Sequence, residues 1–353
     1  MFEMDKLDKN AGLKNEDPTS SERKQDHIVL AFKSRITQKD IDQRFYYEPL
    51  LAAHPKGWEN LVPFDFLGKK VKVPLWVSSM TGGTEWARVI NQNLARACAE
   101  FGMGLGLGSC RSLLYADDTF ADFDVRPIIG DDLPLFANLG IAQVEQLLKQ
   151  GALGRIDAML DKLRADGLIV HVNPFQEWLQ PEGDRFSKPP IETIEALLDK
   201  AGYPIVVKEV GQGFGMKSLE ALLKLPLAAI DFGASGGTNF AMLELLRSDE
   251  EKMNAYLPLS RVGHSAEEMV DMCNELVGRL GDAVECRQVI ISGGVADFLD
   301  GHYLLSKLTL PAVYGQASAF LKHARGDYEQ LQRFVAQQLE GLALAKAYLT
   351  PKV

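Results

Sequence analysis

The chain has 353 residues, 46% of them hydrophobic, and carries a net charge of −10. This is more than one ordinary domain, within reach of a single α/β barrel with additions, and too acidic for a general nucleic-acid binder, though a local basic pocket for a small anion remains open. No apolar run reaches membrane-spanning length, the N-terminus is not signal-like, and Cys98, Cys110, Cys273 and Cys286 show no CxxC spacing, so no membrane, no zinc site, no disulfide framework and a cytoplasmic location are expected.

In chain order, residues 1–22 are polar with little apolar periodicity and read as a mobile N-terminal tail. Arg23 and Lys24, beside His27, either bind an anion or open a helix as a solvated basic pair. From there to residue 353 one unit repeats. An apolar run of strand length ends in Gly, Ser, Thr or Asn, and a helical pattern follows. The runs are Pro74–Ser79, Met103–Gly108, Pro134–Asn138, Leu168–Val172, Pro204–Val210, Ala228–Gly233, Gln288–Ser292 and Pro311–Gly315. The helical patterns include Glu85–Phe101, Ile191–Ala201, Ser218–Lys224, Ala266–Leu280 and Tyr328–Tyr348. Eight alternating units imply parallel strands joined by right-handed crossovers, which favours a closed (β/α)8 TIM barrel with a short N-terminal extension. The alternative, an open doubly wound sheet, lacks a GxGxxG opening a helix after the first strand.

In such a barrel the chemistry sits at the C-terminal strand ends. These ends present Ser79-Met80-Thr81-Gly82-Gly83, then Ser109 and Arg111, then Asn138. The fourth presents His171, Asn173, Gln176 and Glu177, the fifth Lys208, and the sixth Ser235-Gly236-Gly237-Thr238. The seventh and eighth end in Gly293-Gly294-Val295 and in Gly315-Gln316-Ala317-Ser318, where glycines let backbone N–H groups approach a phosphate. Lys208 lies in an otherwise apolar strand, so it needs an anionic partner: a reduced flavin, or a carboxylate on a neighbouring strand. Glu177, near Glu182 and Asp184, either ligates Mg²⁺ holding a diphosphate or is a solvated carboxylate. His171 is a general acid, a diphosphate contact or a satisfied core histidine.

Long motifs tie these ends together: RKQDHI at Arg23, SSMTGGT at Ser78, GLGSCR at Gly106, ANLG at Ala137, HVNPFQEWLQPEGD at His171, VVKEVGQGFG at Val206, GGTNFA at Gly236 and SGG at Ser292. With them the chain resembles the flavin-dependent type 2 isopentenyl-diphosphate isomerases over nearly its whole length. The resemblance implies FMN at Ser79, Met80, Thr81, Ser109, Asn138, Lys208, Ser235 and Thr238, with its phosphate on Gly293, Gly294, Val295, Ala317 and Ser318. It implies a substrate diphosphate at Arg23, Lys24, Ser109, Arg111 and His171, and Asn173 and Gln176 facing the substrate. Glu177 would ligate Mg²⁺, and Gln176, Lys208 and His171 would be the catalytic group. NADPH is the implied reductant, a small-molecule diphosphate the partner, and a tetramer or octamer of identical chains the assembly. Phe334, Leu339 and Leu342 of the last helix are expected to be exposed and available for subunit contacts.

Three departures stand out. The loop Gly183-Asp184-Arg185-Phe186 is one residue shorter than the family's common GDRDF. Ala296 stands where the family often has an arginine after the seventh strand, and Ala317-Ser318 where Ala-Arg is common after the eighth. The implied reaction is a redox-neutral shift of a double bond between isopentenyl and dimethylallyl diphosphate, with reduced FMN stabilising positive charge or donating the proton. Two other readings are an FMN-dependent 2-hydroxy-acid oxidase, which would want an Arg-x-His pair late in the chain, and a flavin- or isoprenoid-binding protein without catalysis.

Overall fold

The computed structural model describes residues 20–79 and 85–353. Residues 1–19, most of the expected tail, lie outside the described residues, as do Met80, Thr81, Gly82 and Gly83. The chain divides into two compact units, the first ending at Phe45 and the second running from Tyr46 to Val353. In the first, the helix Ser20–Leu30 starts within the segment read as tail and carries Arg23 and Lys24, both exposed.

The second unit is a closed barrel of eight parallel strands. We label them β1 (Leu75–Val77), β2 (Gly104–Gly106), β3 (Leu135–Gly140), β4 (Gly167–Val172), β5 (Ile205–Glu209), β6 (Ala229–Asp231), β7 (Val289–Ser292) and β8 (Ala312–Gln316). Strands pair in chain order and β8 closes on β1, with Tyr314, Gly315 and Gln316 opposite Leu75, Trp76 and Val77. Closure leaves no sheet edge, and each strand is buried on both faces, which is why the strands read as continuous apolar runs.

The barrel interior is filled by Trp76, Phe136, Ile169, Val206, Ile290 and Val313. An antiparallel hairpin, Phe64–Phe66 with Lys69–Val71, adds Phe66, Leu67 and Val71 to this cluster. It plugs the N-terminal end: the Leu67 N–H donates to Gln288 just before β7 (2.8 Å), and Lys69 Nζ reaches the Leu133 carbonyl before β3 (3.3 Å). Of the barrel's two ends, the C-terminal one is thus left open among the described residues.

The helices Glu85–Phe101, Ala266–Leu280 and Tyr328–Tyr348 span the residues their periodicity predicts. Ala266–Leu280 illustrates the cause. Ser265 caps it by accepting the Glu268 N–H (3.2 Å), and Met269, Val270, Cys273 and Leu276 form one buried stripe. The expected exposure on the last helix is corrected: Leu339 and Leu342 are fully buried, and Phe334 stacks on His323 with ring centroids 4.4 Å apart. The helix packs against Glu85–Phe101 and Phe298–Lys307, so its apolar stripe is used within the chain. All four cysteines are free and buried, and burial pushes the Cys110, Cys273 and Cys286 thiols up to about 12. No helix among the described residues is long and apolar enough to cross a membrane.

Candidate active site

A cavity of about 570 Å³ opens at the C-terminal mouth. Of the predicted site residues, Ser79, Ser109, Asn138, His171, Gln176, Lys208, Thr238, Gly293, Gly294, Val295, Ala317 and Ser318 line it. Ser235, Asn173, Glu177 and Arg111 stand outside its lining. Arg23 and Lys24 belong to the first unit.

Register explains the polar centre. His171 on β4 lies abreast of Lys208 on β5, and Lys208 abreast of Asp231 on β6. Lys208, almost wholly buried, donates to the Glu209 carbonyl (3.0 Å) and meets Asp231 at 3.4 Å. Thus the neighbouring-strand carboxylate, one of the two partners a buried lysine there requires, is present. Asp231 has no solvent exposure and also accepts a short hydrogen bond from the Ser292 hydroxyl, which in turn accepts from the Gly233 N–H (3.0 Å). The chain Lys208–Asp231–Ser292 therefore ties β5, β6 and β7 at the cavity floor.

His171 Nδ1 lies 2.7 Å from Asn138 Oδ1. With that oxygen as acceptor, Nδ1 carries the proton and Nε2 keeps a lone pair. Burial, and then the Lys208 charge, push the imidazole down to about 4, so it is neutral near pH 7. The unfolded chain takes up a proton near 6.5 that the folded chain refuses until about 4. Stability is therefore complete above that window and is lost as pH falls through it, by about 3 kcal/mol when fully expressed. We expect the difference in unfolding free energy between wild type and His171→Gln to change between pH 7 and pH 5, read by urea denaturation. A difference that stays constant over that range would refute the neutral imidazole.

Glycine makes the seventh loop possible. Gly293 has φ +87°, and a Cβ there would stand 2.0 Å from the Ala234 carbonyl oxygen. The loops after β6 and β7 are thereby locked together, leaving Gly236, Gly237, Gly293 and Gly294 as one cavity wall. Gln316 braces this wall by donating to the Val295 and Ala296 carbonyls (3.2 and 3.1 Å). Its own Oε1, with Ser78 Oγ and Ser79 Oγ, is buried without a hydrogen-bond partner among the described residues. Each such group costs about 1–3 kcal/mol unless a ligand or water satisfies it.

The β4 loop folds back on itself. Asn173 Nδ2 donates to Gln176 Oε1 (2.9 Å) and Glu177 Oε1 (3.1 Å), while Glu177 Oε2 accepts the Asp184 N–H (2.7 Å). Glu177 is thus buried and hydrogen-bonded rather than solvated. Arg111 pairs with Asp184 at 3.1 Å. Among the described residues no group of three or more His, Cys, Asp or Glu side chains is arranged to hold a metal.

Sequence reasoning missed Asp231 and Lys322, and it placed Ser292 and Gln316 in the seventh and eighth loops without giving their side chains a role. Asp231 had a signal: it is a lone acid in the apolar run Ala228-Ala229-Ile230-Asp231-Phe232, the argument that singled out Lys208.

A closed parallel barrel whose C-terminal mouth carries a glycine-walled polar cavity defines a (β/α)8-barrel enzyme. A comparison with protein-family models returns no match. Among curated proteins, the isopentenyl-diphosphate delta-isomerase of Rickettsia felis is 31% identical over 347 residues, covering 97% of this chain and 94% of the relative. That of Rickettsia akari is 35% identical over 309 residues, covering 86% and 85%. The chain belongs to the isopentenyl-diphosphate delta-isomerase family. Solved structures with the same fold include a flavocytochrome b2 variant with sulfite bound (TM-score 0.55, 17% identity, covering 86% of this chain and 72% of that one). Another is a mandelate oxidase variant with a monooxide FMN adduct (TM-score 0.53, 11% identity, covering 88% of each chain). At these identities the likeness concerns the fold.

Proposed function

We propose that the chain is an FMN-dependent isomerase that interconverts isopentenyl and dimethylallyl diphosphate, with NADPH as reductant and Mg²⁺ accompanying the diphosphate. The observation that carries this reading is the cavity itself, in a chain of this family. Its donor set fits a flavin mononucleotide. Buried hydroxyls at Ser78 and Ser79 and the Gln316 oxygen lack partners, and Lys208 and Asn138 supply donors at the floor. The Gly236-Gly237 and Gly293-Gly294 wall suits a phosphate.

Bound and reduced, FMN would supply an electron-rich ring able to stabilise positive charge at a tertiary carbon and to exchange a proton. Lys208 would hold the negative charge of that ring, and Ser79, Asn138 and Thr238 would orient it. Gln176, which cannot titrate, would position the substrate: its amide is fixed by Asn173 and lies 3.4 Å from the buried Glu244. His171 has its Nε2 lone pair to offer. An arriving diphosphate would draw a proton onto that nitrogen and convert it into a charged donor that anchors the substrate. Glu177 is a single buried carboxylate, so it fits Mg²⁺ only if diphosphate and water oxygens complete the coordination. Arg23, Lys24, Ser109 and Arg111 remain the proposed diphosphate contacts, and a homo-oligomer of four or eight copies in the cytoplasm the proposed setting.

The test is an anaerobic assay with isopentenyl diphosphate, omitting FMN, NADPH or Mg²⁺ one at a time. Dimethylallyl diphosphate that requires reduced FMN and Mg²⁺, without stoichiometric NADPH consumption, supports the proposal. Flavin binding with no isomerisation, or flavin reduction by a 2-hydroxy acid, would overturn it.

A further inference from the structure

Two lysines, Lys208 and Lys322, are the cations that line the cavity among the described residues, and no carboxylate lines it. Lys208 is committed to Asp231 and to the Glu209 carbonyl. Lys322 has no carboxylate partner among the described residues. It lies in the helix Ser318–Ala324, which leaves β8 directly into the cavity wall. It is four residues beyond Ser318, on the same helical face, and helical side chains lean back toward the helix start. Lys322, Ser318 and the loop Gly293-Gly294-Val295-Ala296 are all part of the same lining.

We propose that Lys322 supplies the cation for the FMN phosphate, taking over from the side chains that Ala296 and Ser318 lack. Neither position offers a charge, and the glycine wall offers only neutral N–H groups. A phosphate carrying up to two negative charges would otherwise sit in a chain of net charge −10 with no cation in the lining among the described residues except Lys208, already held by Asp231. A lysine is a flexible point charge, able to reach a phosphate from an exposed helix without a rigid fork. The inference rests on the FMN reading of the cavity and concerns the phosphate end alone.

The test compares two ligands that differ only in that phosphate. Flavin-free protein is titrated with FMN and with riboflavin, following flavin fluorescence, for wild type, Lys322→Ala, Lys322→Gln and Lys322→Arg. We expect wild type to prefer FMN. Both neutral variants should lose about tenfold or more of that preference, with riboflavin affinity unchanged, while Lys322→Arg keeps it. The salt dependence of FMN binding should weaken in the neutral variants. An FMN preference that survives intact in Lys322→Ala and Lys322→Gln overturns the assignment alone, as does an equal loss for both flavins. A wild-type chain that binds neither flavin overturns the cofactor reading and the assignment with it.

Discussion

Lys208→Met should lower isomerisation by about 10²–10³-fold or more and strip the protein of FMN, because it removes the cation proposed to hold the flavin's negative charge at the cavity floor. Methionine keeps most of the stem's volume, so the change is chiefly one of charge. The lysine side chain is only 10% exposed, so bulk water cannot replace it as a donor. A second readout follows from geometry. Lys208 stands abreast of His171 and helps hold its imidazole down. Without that charge the His171 titration should move up toward its ordinary range, observable by NMR. Flavin content after gel filtration and anaerobic product formation give the principal measurement. A variant that remains yellow and fully active would sink the role assigned to Lys208.

Asp231→Ala is expected to cost about 3–5 kcal/mol of stability, since it leaves a buried ammonium without its counter-charge. The Glu209 carbonyl would remain as acceptor for Lys208, and the Ser292 hydroxyl would lose the carboxylate it donates to. Denaturant unfolding measures the loss. The double variant Lys208→Met/Asp231→Leu separates stability from function. Replacing a buried ion pair by apolar side chains of similar size is often near neutral. The double variant should therefore regain most of the stability while remaining inactive. If Asp231→Ala cost less than about 1 kcal/mol, as an exposed pair would, the buried-pair account would be wrong.

The residues that proved hardest to read show where local information stops. Lys208 announces itself because a charge in an apolar strand must be compensated. Its partner Asp231 has the same signal, but nothing within either segment says that the two stand side by side. Glu209 alternates away from the cavity, and the structure gives it other work. Its carboxylate accepts the Gly211, Gln212 and Gly213 N–H groups at 2.6–2.8 Å and fixes the turn after β5. Lys322 reads as one more surface lysine on a short amphipathic helix. It becomes a wall of the cavity because β8 pairs with β7 and brings the two loops face to face.

The sequence by itself determined the repeated strand–helix unit, the ends of the long helices, the glycine-rich seventh and eighth loops and most of the residues at the mouth. Each is written in short-range periodicity or in a residue type whose backbone or charge admits few settings. Only the tertiary structure decided which carboxylate faces Lys208, that the last helix spends Leu339 and Leu342 inside the chain, that Glu177 is buried and that Lys322 joins the site. Those outcomes depend on strand register and on closure of the ring, which are set by packing the whole core at once, so no stretch of the chain records them alone.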